Sequence, residues 1–291
     1  MRITHSGQTL GARIDDLDLS QPLDDTTFAT LQQALGQCGV LWYPHQQLEA
    51  IDLKRFAERF GTLEVNVANS YQEPGIPEVM VLSNIVRDGK PLGLADAGQS
   101  WHTDMSYSST IAFTNILYGI QIPQRNGRSL GNTEFCNMHA AYDDLPNHIK
   151  TRLASMTITH DFNKFWEMMR RERGSTRAPL TDAQRAAKPP VRHPVFLTHP
   201  LTGHKVLYAN PGYAMRINEL SEDESEDMLA FLFEHQTQPR YRYAHDWKVG
   251  DVLMWDNIGT IHNAVADYRA DEPRLIKRCQ VMADRVFGAL A

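Results

Sequence analysis

Trp101-His102-Thr103-Asp104 places an imidazole and a carboxylate two residues apart. On a strand, alternate residues share a face, so both side chains could point at one ion. A second imidazole would complete a three-donor set on one side of a metal, with open positions opposite. That set suits non-haem iron(II) chemistry, in which co-substrate and oxidant bind the metal directly. His262, in GDVLMWDNIGTIHNA (250–264), is the candidate third donor. Neither signal decides by itself. A chain with 12 histidines meets H-x-D easily by chance, and a lone histidine in an apolar segment is more often a hydrogen-bonded core residue.

Arg274 and Arg278 lie four apart in EPRLIKRCQVMADR. An even spacing on a strand turns both guanidinium groups to one face. If that face is inward, the pair needs anions, because unpaired buried charge is costly. A dicarboxylate such as 2-oxoglutarate would supply one, since arginine grips carboxylates bidentately. The plain alternative is a solvated strand face. A protein carboxylate, Asp256 or Asp267, could also neutralise Arg278. Two other function classes fit the donor trio: a non-catalytic ligand-binding protein and a zinc hydrolase. Neither needs a buried dicarboxylate clamp.

Other polar residues read more plainly. His193, His199 and His204 form an H-x5-H-x4-H run that could suggest zinc, but a Pro/Gly-rich strand–turn–strand context favours structural roles. Asn257 reads as a turn residue, with orientation of His262 as the alternative. Trp101 and Trp255 read as core. His160 and Lys164 read as part of a solvated face, with the substrate pocket as the alternative.

The elements that would position these groups follow from patterning. Residues 27–35 have helical spacing after a polar DDT start. GVLWYP (39–44) reads as a buried strand, and 51–61 as an amphipathic helix capped by Gly61. Strands are expected at 79–84 and 111–123, and a long loop at 87–100. A helix over 138–156 should break near Pro146, and 162–189 reads as helix plus loop. In the last third, short strands alternate with Gly, Pro and Asp turns around one amphipathic helix at 221–236. That pattern points to a β-sandwich or barrel rather than βαβ units. We expect one domain over 1–291, mainly β with flanking helices (α+β), built as a double-stranded β-helix or jelly roll.

The net charge of −6 argues against nucleic acid or an anionic membrane as main partner. No apolar run approaches transmembrane length. Cys38, Cys136 and Cys279 are far apart without C-x-x-C, which suits a reducing compartment and three small buried hydrophobes. With no signal-peptide core at the start, a cytoplasmic location is expected.

Taken together, WHTD (101–104), GNTEFCNMHAAYDDLP (131–146), HPVFLTHPLTGHKVLYAN (193–210), VGDVLMWDNIGTIH (249–262), Arg274 and Arg278 resemble the taurine dioxygenase / 2,4-dichlorophenoxyacetate dioxygenase family. The resemblance runs over nearly the whole chain, and the GNTEFC and GDVLMWDN stretches look closer to the phenoxyacetate branch. It implies a jelly roll with His102, Asp104 and His262 as Fe(II) ligands. It also implies that Thr133 and Arg274 bind the far carboxylate of 2-oxoglutarate, and that Arg278 faces the substrate's anionic group. The implied activity is hydroxylation of a small anionic molecule with 2-oxoglutarate and O2, giving succinate and CO2; ether or C–S cleavage could follow. The family's dimers and tetramers imply a homo-oligomer. His262 to Arg274 looks one residue longer than in the taurine enzymes, and an insertion in YRADEP would explain it. With a slipped register, Arg278 would take the co-substrate role. Gly98 stands where the taurine enzymes carry asparagine, and no histidine between Glu64 and Trp101 matches their sulfonate reader, so taurine is not the expected substrate.

Overall fold

The run Val252-Leu253-Met254-Trp255 lacks polar alternation, the pattern of a strand buried on both faces. In the computed structural model, which describes residues 1–65, 71–172, 175 and 178–287, Val252–Asp256 is such a strand. Val252 and Met254 join the apolar cluster that contains Leu31 and Leu35 of helix Asp25–Cys38 and Leu53 and Phe56 of helix Ala50–Glu58. Leu253 and Trp255 point the other way, into a cluster with Phe135, Trp247 and Ile276.

That strand lies inside an eight-stranded sheet. Its order is Arg2–His5, Ala12–Asp15, Val40–Tyr43, Val252–Asp256, Ala112–Gln121, Leu275–Met282, Ile76–Ser83 and Gln72–Glu73. All neighbours are antiparallel except Ala12–Asp15 with Val40–Tyr43. A smaller sheet of Arg242–His245, Thr133–Asn137 and Thr260–Ala264 supplies Phe135 and Tyr243 to the inner cluster. Side chains of both sheets thus interdigitate in one core, as in a jelly roll with helices outside. A third sheet, Val191–Pro194, Thr157–His160 and Ala214–Ile217, packs with helix Glu222–Gln236.

The expected elements are present with shifted ends. Asp24 caps the first helix through the Thr27 N–H, and Ser221 caps the helix at 222 within a capping box. Pro146 separates two helices, Met138–Asp143 and Asn147–Leu153. The loop at 87–100 begins with a small hairpin, Val86–Arg87 with Lys90–Pro91. Two expectations fail. Gly61 is not a helix cap: that helix ends at Glu58 with Arg59 as C-cap. Gly61 is needed for close packing instead, because a Cβ there would sit 2.5 Å from the Met282 carbonyl oxygen. His102 and Asp104 do not lie on a regular strand either. His102 makes an isolated bridge to His262, and Met105 follows with φ 58°.

All three cysteines are free and buried. Among the described residues no helix is long and apolar enough to cross a membrane.

Ile116 is fully buried on the helix-facing side of the central strand, away from the polar groups described below. Ile116→Ala should therefore destabilise the fold by about 2–5 kcal/mol, the usual cost of a buried aliphatic truncation. Urea unfolding would measure it, and a loss below about 1 kcal/mol would contradict this packing.

Candidate active site

His102 and His262 exchange two backbone hydrogen bonds, His102 N–H to His262 O at 3.0 Å and His262 N–H to His102 O at 2.7 Å. This pairing brings the imidazoles together, with ring centroids 4.2 Å apart and the planes tilted by 44°. Asp104 reaches the same point: its carboxylate oxygens lie 3.5 Å from His102 Nε2 and 3.9 Å from His262 Nε2. The donor atoms of these three buried residues all fall within 4.8 Å of one another.

Their orientation is set by neighbours. His102 Nδ1 faces the Ser100 carbonyl oxygen at 2.8 Å, so it carries the proton and leaves the Nε2 lone pair toward Asp104. Asn115, on the central strand, donates to Asp104 Oδ2 at 2.6 Å. Asn257 links the parts: its side-chain oxygen accepts from Trp255 Nε1 at 3.1 Å and from Asn115 at 3.5 Å. Its carbonyl accepts from Thr103 Oγ1 at 2.5 Å. Trp255 is core, as expected, and its ring lies 4.7 Å from His262. Asn257 acts on His262 through that ring, not by a direct bond.

Burial pushes the Asp104 carboxyl up, but the contact with His102 and the charge of Arg278 outweigh it and hold the group ionised. Burial, reinforced by His102, pushes His262 well below the usual histidine range and keeps it a neutral lone-pair donor.

Arg274 and Arg278 do share the inward face, with Ile276 between them in the inner core. Their surroundings differ. Arg278 Nη1 lies 3.5 Å from Asp104 Oδ2, so the carboxylate it meets is neither Asp256 nor Asp267. Asp256 accepts the N–H groups of Ile258 and Gly259, and Asp267 that of Gly131. Arg274 is only 8% exposed. Its Nη2 donates to the Gly131 carbonyl oxygen at 3.3 Å, its Nε has no partner, and no carboxylate of the described residues pairs with it within 4.0 Å. Thr133 is buried beside this region, and its Oγ1 accepts from Trp247 Nε1 at 3.0 Å. That bond uses a lone pair and leaves the hydroxyl proton available to an anion.

Apolar walls complete the site. Phe165, on helix Phe162–Glu172, stacks 5.0 Å from His102, and Tyr213 lies 6.2 Å away. Tyr107 packs on Tyr213 at 4.7 Å. Phe165, Tyr213, Tyr107 and Asn115 were not legible in the sequence. Only Phe165 had a signal, the amphipathic spacing with Met169. His160 and Lys164 are neither solvated nor shown against the trio. His160 is fully buried against His193 and Tyr208, and Lys164 Nζ donates to the Ala214 carbonyl. The H-x5-H-x4-H run does not converge: His193 meets the Ser108 carbonyl, whereas His199 meets Asp256. Trp101 sits under Arg242, 5.6 Å from its guanidinium carbon.

Comparison with known proteins identifies the family and the fold. The profile of the "Taurine catabolism dioxygenase TauD, TfdA family" matches residues 2–280. Pentalenolactone F synthase of Streptomyces avermitilis is 31% identical over 289 residues, covering 96% of this chain and 92% of that one. The alpha-ketoglutarate-dependent 2,4-dichlorophenoxyacetate dioxygenase of Burkholderia sp. strain RASC is 33% identical, covering 94% and 91%. The crystal structure of AAD-2 in complex with Mn(II) and N-oxalylglycine superposes with a TM-score of 0.80 at 28% identity, over 97% of this chain and 98% of that one.

The turn that leads into Arg274 is held by Glu272. Its carboxylate accepts from Arg125 Nε at 2.8 Å and from the Arg269 N–H at 2.7 Å. The Arg125 hydrogen bond, then that of Arg269, lowers the Glu272 carboxyl from 4.5 to about 2. A carboxyl depressed in the fold stabilises above its unfolded value and loses that contribution as pH falls through the folded one. Stability should therefore decline between about pH 4.5 and 2, and Glu272→Gln should decline less over that window. Urea midpoints at pH 6 and pH 3 would test this, and identical drops in both proteins would contradict it.

Proposed function

Because the chain belongs to the TauD/TfdA family and is an Fe(II)- and 2-oxoglutarate-dependent dioxygenase, we propose that His102, Asp104 and His262 hold its iron, with Arg274 and Thr133 gripping the co-substrate. The donor set fits: two imidazole nitrogens and one ionised carboxylate, their donor atoms converging, suit iron(II) with open positions. With 2-oxoglutarate and O2 bound, iron supplies the oxidative decarboxylation to succinate and CO2 that drives hydroxylation.

The observation that carries this reading is Arg274. A buried guanidinium with one long carbonyl contact, the Tyr268 ring beside it and no carboxylate partner among the described residues calls for an anion. The far carboxylate of 2-oxoglutarate supplies it, and the Thr133 hydroxyl adds a donor. Arg278, already against Asp104, suits this role less, so the register is read without a slip. A zinc hydrolase or a non-catalytic binding protein has no use for Arg274.

The substrate is a small organic anion with an apolar body. Phe165, Tyr213 and Tyr107 provide a wall for that body. Arg278 keeps an unpaired Nε and reads the anionic end while steadying Asp104. A carboxylate is favoured, since 2,4-dichlorophenoxyacetate, the substrate named for one relative, is one. The site residues are proposed to act within one domain in a homo-oligomer without nucleic acid or membrane partners, in the cytoplasm.

The anaerobic protein with Fe(II) and 2-oxoglutarate should develop a weak visible charge-transfer band. His262→Ala should abolish the band. Arg274→Ala should need about 10- to 100-fold more 2-oxoglutarate to reach it, from the roughly 1.5–3 kcal/mol of a charged hydrogen bond. A band in Arg274→Ala at unchanged 2-oxoglutarate would exclude it as the clamp.

Substrate charge is tested with an acid and its methyl ester. The acid should be preferred by about 10-fold or more in kcat/KM, and Arg278→Ala should erase the preference. Equal turnover of the pair by the native enzyme would refute an anion reader.

A further inference from the structure

Asp256 and Asn257 are adjacent in one turn, yet they serve different groups. Asn257 is tied to the first trio through Trp255 and Asn115. Asp256 belongs to a second cluster with His139 and His199, whose donor atoms also lie within 4.8 Å of one another. His139 opens helix Met138–Asp143, and His199 follows strand Phe196–Thr198. The cluster therefore ties the turn before His262 to a helix and a hairpin that are remote in sequence.

The hydrogen bonds leave donor atoms over. His139 Nδ1 faces the Lys205 carbonyl oxygen at 3.1 Å, so it holds the proton and Nε2 is a bare lone pair. That Nε2 is buried and has no hydrogen-bond partner. Burial also pushes His139 below the usual histidine range, so it stays unprotonated near neutrality. His199 Nδ1 accepts the N–H groups of Leu201 and Thr202 at 3.3 Å each, which puts the His199 proton on Nε2. His199 Nε2 is 2.9 Å from Asp256 Oδ2 but forms no hydrogen bond with it. Gly259 keeps the space clear: a Cβ there would lie 2.3 Å from Asp256 Oδ2 and 3.2 Å from His139 Nε2.

We infer that His139 Nε2, His199 Nε2 and Asp256 Oδ2 form a second, structural site for a zinc-like divalent cation, separate from the iron trio. Two nitrogens and a carboxylate oxygen suit zinc, whereas magnesium and calcium prefer oxygen ligands. Binding takes His199 as a neutral ring, its proton moving from Nε2 to Nδ1 at the expense of the two 3.3 Å contacts from Leu201 and Thr202. The Asp256 carboxylate offsets part of the cation's charge. Water or His204, whose ring lies 6.3 Å from that of His139, completes a fourth position.

Zn2+ titration of the full chain by calorimetry tests this site independently of the iron assignment. The His102→Ala/His262→Ala chain should still bind one Zn2+ per chain. Adding His139→Ala should weaken that binding at least 10-fold. In the native background, the stoichiometry should fall from two to one in His139→Ala, and the Fe(II)/2-oxoglutarate band should remain as a check on folding. Should His139→Ala misfold by circular dichroism, His139→Gln replaces it in both comparisons. Absence of stoichiometric Zn2+ binding in the double variant, or binding indifferent to His139 substitution, would overturn the site. If His102→Ala/His262→Ala bound as many Zn2+ as the native chain, the iron assignment would fail and this one would not.

Discussion

Two backbone hydrogen bonds between His102 and His262 carry most of what this structure does. The segment around His102 forms no regular strand, and Met105 turns it away through a left-handed conformation. Without that bridge the first histidine and the carboxylate would sit on a loop. With it, they are fastened to strand Thr260–Ala264, which is itself zipped to Thr133–Asn137. Asn115 then draws Asp104 toward the large sheet. The trio thus stands where the two sheets and an irregular segment meet, which is how a rigid scaffold can hold ligands while leaving one side open.

Charge follows the same geometry. One strand sends Arg274 and Arg278 inward with Ile276 between, at about 3.3 Å per residue, so the guanidinium-bearing positions are roughly 13 Å apart. Arg278 lies against a carboxylate that is already part of the trio, whereas Arg274 meets the Gly131 carbonyl and the Tyr268 ring and, among the described residues, no carboxylate within 4.0 Å. The inner core is therefore charge-compensated at one end and short of an anion at the other. That asymmetry fits the dicarboxylate clamp proposed at Arg274.

The turn Asp256–Gly259 divides two polar clusters. Asp256 spends both oxygens on the N–H groups of Ile258 and Gly259, which shapes the turn, and still faces two imidazoles. Asn257 faces the opposite way. Whatever stiffens the Asp256 side also fixes the entry of strand Thr260–Ala264, and so the position of His262.

The chemistry was legible in residue types: an imidazole and a carboxylate two apart, a later histidine, and two arginines at even spacing on a strand. Strand periodicity sufficed to turn Arg274 and Arg278 inward, because that face is set by a local alternation. The apolar run before Asp256 likewise marked a doubly buried strand. What the sequence could not supply depended on contacts between distant segments. The partner of Arg278 proved to be Asp104, since only the folded chain brings residues 174 positions apart within 3.5 Å. Asn115 read as an ordinary strand residue until Asp104 was placed against it. His199 belonged with His139 and Asp256 rather than with His193, which turns to the Ser108 carbonyl instead. Local spacing decides which face a side chain takes; only the packing of sheet on sheet decides what it meets there.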